Sequence, residues 1–96
     1  MSASLSTHVL DTATGRPATG VRVELRRGHD EVAVAETDAD GRARLAEAIA
    51  PGLYALVFHP PSAFFRRVEL EIEIGEGHHH VPLLISPYGC TTYRGT

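Results

Sequence analysis

Val68-Glu69-Leu70-Glu71-Ile72-Glu73-Ile74 puts an aliphatic side chain at every second position and a glutamate between each pair. A strand sends successive side chains to opposite faces, so this segment builds one apolar face and one acidic, wet face. A helix would scatter both sets around its axis. Val21, Val23 and Leu25 alternate with Arg22, Glu24 and Arg26 in the same way, giving a second half-buried strand. Two apolar runs without alternation, Leu53-Tyr54-Ala55-Leu56-Val57-Phe58 and Val81-Pro82-Leu83-Leu84-Ile85, read as strands buried on both sides. Turn chemistry separates the strands: Thr14-Gly15-Arg16-Pro17, Arg27-Gly28-His29-Asp30, Asp38-Ala39-Asp40-Gly41, His59-Pro60-Pro61-Ser62 and Gly75-Glu76-Gly77. Turns recurring every ~10–15 residues predict an all-β, predominantly antiparallel sandwich of seven or eight strands.

Arg42-Ala43-Arg44-Leu45-Ala46-Glu47-Ala48-Ile49-Ala50 resists this pattern, being rich in helix formers with Leu45 and Ile49 four apart. A helix of about nine residues is marginal by itself, and the preceding Asp40-Gly41 is a hairpin signal. A short strand over Gly41–Leu45 is therefore expected.

The chain has 96 residues, enough for one core and too few for two, so a single domain over 1–96 is expected. Apolar residues make up 43% and charged residues 22%, the balance of a folded chain, and no apolar run reaches a membrane span. Nine Lys and Arg against twelve Asp and Glu give a net charge of −3, which attracts neither nucleic acid nor an anionic membrane. Cys90 stands alone, so no disulfide framework exists, and it reads as a small packing residue rather than a nucleophile. Met1 to His8 has neither the basic segment nor the apolar stretch of a secretory signal, and a cytoplasmic location is expected. So small a chain buries only about 60–65% of its unfolded surface, which makes oligomerisation a natural source of stability.

Three of the six histidines stand together at His78-His79-His80. In a strand His78 and His80 share one face with Pro82 and Leu84, while His79 shares the other with Val81 and Leu83. Two imidazoles thus converge. A zinc site needs a third ligand, for which His8 is the candidate, but a solvated or backbone-bonded pair is the simpler reading, and no metal is expected. Taken singly, His8 is an ordinary edge-strand histidine and Arg42 an ordinary turn cation. Composition and spacing end at a small sandwich with a histidine pair.

At these same positions the sequence resembles a known family. Leu5-Ser6-Thr7-His8-Val9-Leu10-Asp11-Thr12, followed by Gly15-Arg16-Pro17-Ala18, resembles the opening of the transthyretin-like family in its enzyme branch, the 5-hydroxyisourate hydrolases. His78-His79-His80-Val81-Pro82-Leu83-Leu84-Ile85-Ser86-Pro87-Tyr88-Gly89 with Tyr93-Arg94-Gly95-Thr96 resembles that branch's closing signature, a His-x-His-Val-Pro block and a terminal Tyr-Arg-Gly-Ser. Thr37 to Arg42 matches the turn that carries the family's arginine, and Ala50 to Tyr54 the strand entry that follows. The hormone-binding branch lacks both histidines and the Tyr-Arg-Gly ending. This chain departs from the pattern at Cys90 and Thr91, usually tyrosine and serine, and at Thr96, usually serine. Its His59–Phe65 region is shorter than the family's, so the short helix normally found there is expected to be reduced or absent.

The resemblance implies hydrolysis of 5-hydroxyisourate to 2-oxo-4-hydroxy-4-carboxy-5-ureidoimidazoline in urate catabolism. Water must lose a proton as it attacks, work suited to an imidazole near neutral pH. The implied catalytic set is His8, Arg42 and His80, with His8 activating water, His80 assisting proton transfer, and Arg42 holding developing negative charge or the urate-like ring. Tyr93, Thr91 and Thr96 are the implied substrate contacts, and no cofactor is required. The implied assembly is a homotetramer, with dimers formed through edge strands and sites in a channel between them. The contrasting reading is a non-catalytic sandwich of the carboxypeptidase-regulatory-like or collagen-adhesin B type, or a carrier that binds a small aromatic ligand. His8 and the ending from His80 to Thr96 favour the hydrolase.

Overall fold

In the computed structural model, which describes residues 1–96, ten strand segments and no helix are formed. They are β1 (Ala3–Asp11), β2 (Arg16–Pro17), β3 (Arg22–Arg27), β4 (Asp30–Glu36), β5 (Arg42–Ile49), β6 (Gly52–His59), β7 (Val68–Ile74), β8 (Gly77–His80), β9 (Leu83–Ile85) and β10 (Cys90–Thr92). The first sheet centres on β1, flanked by β5 and β2 on one side and by β8 and β9 on the other, with β10 outside β9. The second runs β4-β3-β6-β7.

The all-β sandwich matches expectation, and the differences have local causes. Ten segments replace seven or eight because β2 is a two-residue extension and because Pro82 separates the histidine segment, β8, from the rest of the last apolar run, β9. Proline has no N–H to give a ladder, so the run cannot continue through it. The Thr7 hydroxyl donates to the Val81 carbonyl at 2.6 Å and the Thr92 hydroxyl to the Pro82 carbonyl at 2.8 Å, replacing the lost ladder bonds. The register survives the break: Ser6 lies opposite His80 and Leu10 opposite Leu84. β1 also pairs in parallel with β8 and β9, so the first sheet is mixed rather than wholly antiparallel.

β5 extends to Ile49, beyond the expected Gly41–Leu45. Pairing with β1, from Ala3 opposite Ile49 to His8 opposite Arg42, overrides the segment's helical propensity and buries Ala43 and Leu45. Asp38-Ala39-Asp40-Gly41 is not a hairpin: β4 and β5 lie in different sheets, and the turn carries the chain across the sandwich. Pro60 to Arg67 contains no helix, as the shortened region suggested. His59 ends β6 instead of lying in a turn, 2.5 Å from Glu24, and holds that carboxyl below its usual pKa.

One apolar cluster joins the sheets, including Leu5, Val9, Val23, Leu25, Leu56, Phe58, Ile74 and Leu83. The glutamates of β7 face solvent, as alternation requires, while Ile74 is buried and Leu70 and Ile72 are half-buried. β6 is less enclosed than a run buried on both sides, since Leu53 is 52% exposed.

Candidate active site

The site begins with the parity of β1. Ala3, Leu5, Thr7 and Val9 point into the core, which turns Ser4, Ser6 and His8 to the opposite face. Across the antiparallel pair Arg42 stands opposite His8 and Arg44 opposite Ser6, and across the parallel pair His78 stands opposite Ser4 and His80 opposite Ser6. Three adjacent strands therefore bring His8, Arg42, His78 and His80 onto one polar face. β1 is central in its sheet, so His8 is not the edge-strand residue it resembles in isolation.

The β4–β5 turn holds two of these groups. The Asp38 carboxylate accepts from the Asp40 N–H at 2.9 Å and the Arg42 N–H at 3.0 Å, and these bonds hold its pKa below the usual carboxylate value. The turn aims the Asp40 carbonyl at His8, whose Nε2–H donates to it at 2.8 Å. A carbonyl only accepts, so Nε2 carries the proton and the neutral ring keeps its lone pair on Nδ1. The Arg42 guanidinium makes no hydrogen bond or ion pair within the chain, whereas Arg44 pairs with Glu47 at 3.4 Å.

His80 is half-buried. Its Nδ1 lies 2.8 Å from the Ser6 hydroxyl, its N–H donates to the Thr96 carbonyl at 2.9 Å, and its carbonyl accepts from the Gly95 N–H at 2.6 Å. The chain end is thereby laid along the imidazole. A Cβ on Gly95 would fall 2.6 Å from His80 Cδ2, so only glycine permits that approach. Burial, then the positive charge of Arg42 and the neighbouring His8 and His78, pushes the His80 pKa below 6.5. His79 points into the core at 7% exposure and donates from Nε2 to the Gly75 carbonyl at 3.0 Å, a structural role. No three His, Cys, Asp or Glu side chains converge closely enough to hold a metal ion. Cys90 packs against the core, and burial pushes its thiol pKa up, away from nucleophilic thiolate.

The other sequence candidates fall in two places. Thr91 stands opposite Leu84, on the same face as His8 but two strands over. Thr96 lies against His80. Tyr93 is not on this face: it lines a cleft of about 550 Å³ with Leu70, Ile72, Ile74, His79 and Arg94, along the open edge beside β7. Sequence reasoning missed Ser6 and Asp38. The alternation Ser4-Ser6-His8 and the Asp-x-Asp-Gly turn were the available signals.

Known proteins share this arrangement of strands. The solved structure of Klebsiella pneumoniae 5-hydroxyisourate hydrolase superposes with a TM-score of 0.88 at 38% identity, covering 98% of this chain and 99% of that one. Transthyretin from Sparus aurata superposes with a TM-score of 0.79 at 26% identity, covering 94% of each chain. The 5-hydroxyisourate hydrolase 2 of Rhizobium meliloti (strain 1021) is 42% identical over 117 aligned positions, which cover 99% of this chain and 98% of that protein. That alignment is longer than the 96 residues of this chain, so the relative carries segments absent here. The HIUase/Transthyretin family model matches residues 5–95, and with His8, the Asp38–Arg42 turn and His80 all inside that match, the chain belongs to the HIUase/Transthyretin family.

Proposed function

We propose that this protein is a 5-hydroxyisourate hydrolase acting in purine catabolism as a single domain over residues 1–96. The observation that carries the reading is the His8–Asp40 bond: it leaves an imidazole lone pair on the polar face, directly across from an unpaired guanidinium. A ligand carrier needs no such base, and two relatives named for this hydrolysis match over 98% and 99% of their own length.

The chemistry follows from the groups. His8 Nδ1 takes a proton from water as its oxygen attacks the ring carbonyl carbon. Arg42 stabilises the oxyanion that forms, and its planar fork also suits the urate-like ring. The C–N bond then breaks, the leaving nitrogen takes a proton from His80 Nε2, and 2-oxo-4-hydroxy-4-carboxy-5-ureidoimidazoline is released. Thr91 and Thr96 supply neutral polar contacts. Tyr93 lies off this face within one chain, so its contact with substrate is made from a neighbouring copy.

The deciding experiment generates 5-hydroxyisourate with uricase and follows its ultraviolet absorbance with and without the protein. Faster decay that survives a chelator is expected, and decay at the spontaneous rate overturns the reading.

A pH dependence follows from His80. Burial and then the Arg42 charge lower its pKa, so it protonates at a lower pH than an ordinary histidine, and its NMR titration in Arg42→Gln should move up toward 6.5 as the neighbouring charge is lost. Below 6.5 the unfolded chain protonates this histidine before the folded one does, so its contribution to stability declines as pH falls through that window. An unmoved titration in Arg42→Gln would show that the guanidinium does not act on His80.

The proposed assembly is a homotetramer. β7 leaves one backbone edge unpaired beside the Tyr93 cleft, an arrangement that a second copy completes. Sedimentation at micromolar concentration should give four chains, and a fully active monomer would rule out the shared site.

A further inference from the structure

The polar face carries an arrangement that the hydrolysis scheme leaves unused. The Ser6 hydroxyl lies 2.8 Å from His80 Nδ1 and 3.0 Å from His78 Nε2, and the Ser4 hydroxyl lies 2.7 Å from His78 Nδ1. These contacts form one unbroken line from half-buried His80 to exposed His78 and solvent. A serine hydroxyl has a single proton, so Ser6 donates to one imidazole and accepts from the other. The two rings are therefore not independent. When Ser6 donates to His80, both rings carry their proton on Nε2; when Ser6 donates to His78, both carry it on Nδ1.

We propose that Ser6 and His78 are positioning residues that form a proton relay, switching His80 between an acid form with Nε2–H facing substrate and a base form with a bare Nε2. The proposal rests on the hydrolase reading. As His80 Nε2 gives its proton to the leaving nitrogen, the Ser6 proton moves to His80 Nδ1 and the His78 Nε2 proton to Ser6. The Ser4 proton moves to His78 Nδ1, and Ser4 is replenished from water. The return stroke balances it: the proton that His8 took from water passes to His80 Nε2, the line shifts outward, and one proton leaves at Ser4. Each turnover consumes one water, and the four side chains end as they began.

The arrangement also fits the surroundings of His80. The groups facing it are His8 on β1, Arg42 on β5 and His78 on β8, all neutral or cationic, so an imidazolium is disfavoured there. A neutral ring that exchanges one proton for another avoids that charge.

The test uses the full chain and two kinds of readout. Nitrogen-15 NMR of the imidazoles should show His78 and His80 in the same tautomer, and Ser6→Ala should abolish that match. In turnover, Ser6→Ala should lower kcat about tenfold with KM unchanged, and Ser6→Thr, which keeps a hydroxyl, should restore most of the loss. His78→Ala should lower kcat comparably and be rescued by imidazole in the buffer, which stands in for the missing ring. Unmatched tautomers in the wild type, or a Ser6→Ala enzyme with unchanged kcat, would overturn the relay. A wild type with matched tautomers and no hydrolysis would overturn the function instead and leave the coupled pair standing.

Discussion

Gly41→Ala is expected to melt about 10 °C or more below the wild type and clearly below its control, Gly28→Ala, which bears the backbone cost alone. Both glycines have positive φ, +76° and +62°, so both lose about 1–2 kcal/mol when a Cβ is forced into the left-handed region. The surroundings separate them. A Cβ at position 41 would lie 2.5 Å from the Val9 carbonyl oxygen and 2.9 Å from Pro17 Cβ, while one at position 28 meets nothing within 4 Å. Relieving the overlap at Gly41 means moving backbone in a closed turn, which adds about 1–3 kcal/mol. In a domain of this size each kcal/mol shifts the melting temperature by about 4–8 °C. The same movement displaces the Asp40 carbonyl from His8 and the Gly41 carbonyl from the Val9 N–H, now 2.8 Å apart. Turnover should therefore fall even at temperatures where the variant is folded. Equal melting temperatures for the two variants would show that the close approach carries no strain.

Gly41 also marks the boundary of what could be read without coordinates. That Asp38-Ala39-Asp40-Gly41 turns the chain follows from side chains that bond their own backbone and from a glycine free to adopt positive φ. Whether the turn joins neighbours in one sheet or crosses between sheets depends on strand pairing, which such a local signal does not carry. β3 and β7 were legible because alternation is a direct imprint of burial on one face. β5 was ambiguous because Ala43, Ala46, Ala48 and Glu47 favour helix locally, and only pairing with β1 decides against it. His59 looked like a turn residue because two prolines follow it, yet β6 runs through it to meet Arg22 on β3. The candidate site shows the same division. Parity alone placed His78 and His80 together and set His79 apart, as observed. Ser6 had no distinguishing chemistry until the parallel pairing of β1 and β8 set its hydroxyl between two imidazoles.

His8→Ala, Arg42→Ala and His80→Ala are each expected to lower kcat by about 10²-fold or more, since acid–base and oxyanion contributions are each of that size. The three side chains project from the polar face, with none of them in the apolar cluster, so their removal should leave the core packed and assembly intact. His8→Ala removes the lone pair on Nδ1, Arg42→Ala the unpaired guanidinium, and His80→Ala the proton delivered to the leaving nitrogen. These groups act on one transition state. A His8→Ala, His80→Ala double variant should therefore cost far less than the product of the separate losses, because a missing base leaves less for the acid to assist. His29→Ala, in the exposed β3–β4 turn, and His59→Ala, on the outer face beside Glu24, should leave turnover nearly unchanged. The measurement is the initial rate of 5-hydroxyisourate decay for each variant, with folding checked by circular dichroism. Losses that multiply in the double variant would mean that the two histidines serve separate steps. A folded His8→Ala protein retaining full kcat would remove His8 from water activation, although its ring is the one on this face whose lone pair is fixed by a backbone carbonyl.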